Sequence, residues 1–206
     1  HPARGSSHLR GRLERARLSR RAVVAAMLTL TMGAGGRAVP AQSDPWVALR
    51  RPGHFALIRH ALAPGNNDPP GFRLDDCATQ RNLSTEGRTQ AVRIGNLFRA
   101  NGIASAHVHS SQWCRCLETA NLIRLGEVQP QPLLNSFVQD PARGATQIEA
   151  LRPWIDQIDL ATPTVFVTHQ VVVTALSEIF PGSGEIVVMQ RTADGRLAVQ
   201  GRLSTA

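Results

Sequence analysis

Three short apolar runs break off abruptly into polar residues, and this constrains the fold more than any other feature of the chain. Phe55 to Ile58 ends in Arg59-His60, Ala106 to His109 runs into Ser110-Ser111-Gln112, and Thr164 to Thr168 stops at His169. Runs of this length bounded by turn-forming and polar residues read as strands. Between them lie helical patterns. Ser84 suits an N-cap, Glu86 favours the first turn, and Ala91, Ile94, Gly95 and Phe98 recur on one face as far as Asn101-Gly102. Trp113 to Leu125, Thr146 to Ile158 and Val171 to Phe180 also read as helices. Pro132 to Leu134 reads as a short third strand, and Asp194-Gly195 as the turn of a hairpin joining Glu185–Arg191 to Leu197–Leu203. Strands alternating with helices predict an α/β three-layer sandwich, its mainly parallel central sheet flanked by helices. In such a sheet the C-terminal strand edges share one side, where ligands bind. The polar segment 61–81 is long enough to be functional in its own right.

The 206 residues suffice for one well-cored domain. The formal charge of +8 is unevenly spread: residues 1–44 carry eight Arg against Glu14 and Asp44, and the rest carries 15 Arg against 13 acids. With no basic stripe interleaved with aromatics beyond residue 44, nucleic acid is not an expected partner. Arg15, Arg17, Arg20 and Arg21 precede an apolar run from Ala22 to Met32, and Val39-Pro-Ala41 supplies small residues for cleavage. This layout predicts a signal peptide over 1–41, cleaved after Ala41, and a single domain over 42–206. The run is too short for a permanent span, so no membrane anchor is expected after cleavage. The expected location is periplasmic or secreted. Three cysteines leave the pairing open: Cys77 with Cys114, Cys77 with Cys116, or three free thiols.

The three strand ends would bring His60, His169, Arg59 and Arg115 to one edge. Guanidinium forks match the oxygens of a tetrahedral phosphoryl group, and helix N-termini near Gln112 and Gln170 add positive potential. The alternative is a pair of satisfied polar residues at strand ends. His107-x-His109 offers a second possibility, since the i, i+2 spacing places both rings on one strand face, a spacing that metal sites use. It lacks a third close ligand in sequence, and no metal or cofactor is expected.

Leu57-Ile-Arg59-His60, Ser110-Ser-Gln-Trp-Cys-Arg115-Cys-Leu-Glu-Thr119-Ala120 and Val167-Thr-His169 resemble the histidine phosphatase superfamily, the group that includes phosphoglycerate mutase. The resemblance covers about residues 53 to 190, and Arg81 to Ala91 is similar to the helix that follows the first loop in that family. It implies that His60 is the nucleophile, that Arg59 and Arg115 hold the phosphoryl oxygens, and that His169 donates a hydrogen bond to the transferring group. Arg81 and Asn66 are candidate contacts to the rest of a small phosphorylated substrate. The chain departs from the family twice. Ala61 follows the nucleophile where the family usually has Gly, and the segment Leu133–Asp140 after the third strand holds no Glu, which leaves Asp140 as the nearest candidate acid. The implied activity is phosphomonoester hydrolysis through a phosphohistidine. The alternatives are a catalytically weak phosphate-binding envelope protein and a metal-dependent hydrolase. Oligomeric state is not legible.

Overall fold

The structure is a computed structural model and describes residues 44–205. The expected signal peptide and its cleavage after Ala41 lie outside the described residues. The elements run α1 (Pro45–Leu49), β1 (His54–Arg59), α2 (Thr85–Ala100), β2 (His107–Ser110), α3 (Cys114–Ile123), β3 (Val128–Pro130), α4 (Gly144–Gln157), β4 (Thr164–Thr168), α5 (Gln170–Ser177), β5 (Ile186–Arg191) and β6 (Leu197–Leu203). One sheet holds the strands in the order β3-β2-β4-β1-β5-β6. The first four strands are mutually parallel, and β5 and β6 add antiparallel to β1.

Residues 54–58 of β1 and all of β4 are buried, as expected of strands covered on both faces. The two-residue period then sorts their side chains into two cores. Ala56, Ile58, Val165 and Val167 pack with Ile94, Phe98, Ala120 and Ile123 on the side of α2 and α3. Phe55, Leu57 and Phe166 pack with Leu151, Ile155, Val172 and Val173 on the side of α4 and α5. Helices α2 and α3 touch so closely at Gly95 that a Cβ there would collide with the carbonyl of Ile123. The Ser84 hydroxyl caps α2 by accepting from Gly87 N at 3.0 Å, as the sequence suggested.

Two expectations need correction. The third strand is Val128–Pro130, and Pro132–Leu134 is a 3₁₀ turn in which the Gln131 side chain accepts from Leu133 N. A three-residue edge strand with an exposed Pro carries no apolar periodicity to read. Helix α5 ends at Ser177 rather than Phe180, because Glu178 takes a left-handed conformation (φ 61°) and its N–H closes on the Thr174 carbonyl.

Candidate active site

Strand register sets the site. Arg59 lies opposite Thr168 across β1 and β4, and Ser110 opposite Val167 across β2 and β4. His60 N donates to Thr168 O and Ser111 N to Val167 O, both at 2.9 Å, which carries the pairing one residue past the strand ends. The His60 and His169 rings are thereby 5.5 Å apart, and Arg115 enters from the first turn of α3. His60, Arg59, Arg115 and His169 line one cavity of about 70 Å³, joined by Asn66 and Arg81 from the long loop.

The histidines are held in defined protonation states. His60 Nδ1 lies 2.8 Å from its neighbour's carbonyl, Ala61 O, which can only accept. The Nδ1–H therefore donates, and Nε2 keeps its lone pair. Burial, followed by the charge of Arg115, pulls the His60 pKa down to about 3; Arg81 and Arg59 pull in the same direction. His169 is lowered well below its usual value, by burial first and then by His60 and Arg115. Its tautomer follows from the network. Asn135 Oδ1 accepts from Gln112 N and from the Ser111 hydroxyl, so Ser111 must in turn accept from His169 Nε2–H, 2.8 Å away. The Nδ1 lone pair is left toward Arg115, whose terminal nitrogen is 3.5 Å distant.

Asp68 was not read from the sequence as a site residue. It is buried in the same cavity wall and accepts from both terminal nitrogens of Arg115 (2.8 and 3.2 Å), from Trp113 Nε1 (3.0 Å) and from Arg81 N (3.0 Å). Burial raises its pKa, but the hydrogen bonds and charge of Arg115 with the Arg81 N–H outweigh that, and the net shift is downward. The only available signal was its place in a long loop dense in Asn, Asp and Pro. Three guanidiniums against one carboxylate give the lining a net charge of two positives. The Nε atoms of Arg59, Arg81 and Arg115 are buried without a partner, an arrangement that an anion would relieve.

Asp140 is not brought to this cavity. It precedes the 3₁₀ turn Pro141–Arg143, is exposed, lies 4.0 Å from Arg143 and lines a different groove with Pro132 and Ala150. Its candidacy as the acid is therefore withdrawn; Ser136 and Val138 of the same segment reach the cavity instead. The methyl of Ala61 is fully buried with Ala63, Leu83 and Ala91, while its N–H donates to Thr119 Oγ1 at 3.1 Å. His107 is exposed and His109 packs against Trp154 and Phe166. Among the described residues no three metal-ligand-type side chains group together.

The cysteine question resolves as a Cys77–Cys114 disulfide, which ties the long loop to the start of α3 beside Arg115. Cys116 is free and buried behind His169, and burial pushes its thiol up to about 12.

The sequence model of the histidine phosphatase superfamily (branch 1) matches residues 55–150. The chain resembles that superfamily. Its members are phosphatases or mutases. His169, α5 and the hairpin β5–β6 of this histidine phosphatase-like chain lie beyond the matched segment. No curated protein matches by sequence. Solved structures share the fold. The protein histidine phosphatase SixA complexed with tungstate aligns with a TM-score of 0.51 at 17% identity, covering 74% of this chain and 97% of that one. A phosphoserine phosphatase mutant from Entamoeba histolytica with phosphoserine aligns at 0.51 and 15%, covering 74% and 97%. A mycobacterial glucosyl-3-phosphoglycerate phosphatase aligns at 0.51 and 16%, covering 72% and 97%.

Proposed function

We propose that this protein is a phosphomonoester hydrolase that works through a phosphohistidine on His60. The observation that carries the reading is the His60 imidazole, neutral and tied through Nδ1 to Ala61 O, in a cavity walled by Arg59, Arg81 and Arg115. The Nε2 lone pair attacks phosphorus, the bond from phosphorus to the leaving oxygen breaks, and the leaving group departs with that electron pair. Water then attacks the phosphohistidine, the P–N bond breaks, and inorganic phosphate leaves with His60 neutral again. The three guanidiniums offset the charge spread over the phosphoryl oxygens. As the dianion enters, its field raises the pKa of His169. Nδ1 can then take up a proton and donate to a phosphoryl oxygen while Nε2–H stays on Ser111. Asp68 keeps Arg115 oriented. The tungstate held by the SixA structure, a tetrahedral oxyanion, is consistent with this use of the fold.

We also propose a periplasmic or secreted location. The arginine-then-apolar pattern before Ala41 supports it, as does a disulfide beside the site.

Turnover of an aryl phosphate by the purified domain, by its His60→Ala variant, and by the domain with a chelator tests the chemistry. Turnover that needs His60 and survives the chelator is expected. Phosphate binding by folded protein without turnover would instead make this a phosphate-binding envelope protein. Turnover kept by the variant and abolished by the chelator would return attention to His107 and His109.

A further inference from the structure

A second cavity, of about 460 Å³, adjoins the phosphoryl pocket and shares Asp68 and Val138 with it. Its size is that of a small-molecule site, whereas the first cavity suits only an oxyanion. The rest of its wall is uncharged: Asn67, Pro69, Pro70, Gly71, Phe72 and Gln139. The shelf is rigid. Phe72 N closes a turn on Pro69 O at 3.2 Å, with Pro70 and the positive-φ Gly71 (76°) at its centre, a type II arrangement. Phe72 packs on Trp113 with centroids 5.5 Å apart, and the Trp113 indole is bonded to Asp68. Arg73, the nearest cation in sequence, is exposed and paired with Asp75 and Asp76.

Two properties of the leaving group follow. A carboxylate on it would meet no cation on this shelf, where the one charged group, Asp68, is already paired with Arg115. In addition, Asp68 is the sole carboxylate lining either cavity among the described residues, and its four hydrogen bonds and low pKa hold it ionised. No carboxylic acid is then at hand to protonate a departing oxygen. Resting on the hydrolase reading above, we infer that the substrate is a phosphoryl ester of an uncharged, flat ring that departs as a stable anion without a proton from a protein carboxyl group. The ring lies on Phe72 and the prolines, and Asn67 and Gln139 contact its polar edge.

The test compares kcat/KM for phenyl phosphate, 4-carboxyphenyl phosphate and phosphoserine on the wild type and on the Asn67→Arg and Gln139→Arg variants, both at exposed positions. The carboxylate makes the second phenol the better leaving group, so leaving-group ability alone would favour it. The expected result is the reverse, a loss of about tenfold or more against phenyl phosphate, with that gap narrowing in the arginine variants. Phosphoserine, an alkyl ester, should be the poorest of the three. Equal or faster turnover of the carboxyphenyl ester overturns the neutral shelf. Phosphoserine turned over as well as phenyl phosphate overturns unassisted departure. Absence of turnover for every ester removes the hydrolase reading and this inference with it, whereas turnover with the wrong preference removes the inference alone.

Discussion

Breaking the Cys77–Cys114 bond should weaken the fold more than it weakens the site. The cross-link joins positions 37 apart in sequence. In the chain-entropy account, closing a loop of that length in the unfolded state is worth about 4 kcal/mol. The native loop has other restraints near the bond: Cys114 N donates to Gln80 Oε1 at 3.0 Å, Arg81 N and Arg115 both reach Asp68, and Asn82 Nδ2 donates to Cys77 O. Losing the disulfide therefore acts mainly through the unfolded chain. Urea unfolding of the Cys77→Ser/Cys114→Ser double variant should show a midpoint lowered by about 2 M, taking an m-value of about 2 kcal/mol per molar. Aryl phosphate turnover in the absence of urea should fall by no more than several-fold. A stability loss under about 1 kcal/mol would refute the entropic argument. A collapse of turnover at unchanged stability would show instead that the bond positions Asp68 and Arg115 directly.

Removing the carboxylate in Asp68→Ala strands a buried guanidinium, which should cost about 3–5 kcal/mol in chemical denaturation; a change within 1 kcal/mol would mean that Arg115 finds water or another partner. Acid should destabilise the protein through His60. Its folded pKa is depressed to about 3, so below the unfolded value near 6.5 the unfolded chain binds the extra proton and stability falls as pH falls through that window. His60 alone should contribute about 2 kcal/mol of loss at pH 5, with His169 acting in the same direction. His60→Gln should flatten the slope between pH 7 and pH 5, and an unchanged slope would sink the assignment. Gly95→Ala should lower the melting temperature, because the added methyl collides with the Ile123 carbonyl; a neutral outcome would mean that α2 and α3 can slide apart at no cost.

The strand ends were legible because they combine two strong local signals, an apolar run and an abrupt polar stop. Parallel pairing then brings Arg59, His60, Arg115 and His169 together with no further information. The loop residues were legible only in part. Asn66 and Arg81 were singled out, yet Asp68 between them carries the contacts that orient Arg115. No periodicity records the path of a loop, so adjacency between residues 68 and 115 could not be read. Asp140 misled for the same reason. Sequence distance from the third strand suggested the pocket, while the turn at Pro141 leaves the carboxylate in solvent. Cysteine spacing left Cys77 with Cys114, Cys77 with Cys116 and three free thiols all open. The choice of Cys114 needed the helix phase, which buries Cys116 against Thr168 and His169.

Strand order has a consequence for how the protein comes into being. β4 sits between β2 and β1, though it follows both in the chain. A growing chain that stops short of Thr164 thus leaves an empty slot where the two halves of the pocket should meet, with neither Thr168 O to align His60 nor His169 to face it. Insertion of β4 is the keystone event. An oxyanion bridging residues from β1, α3 and the end of β4 would pin that keystone from outside, so resistance to protease gained on adding phosphate would report that assembly is finished rather than merely under way.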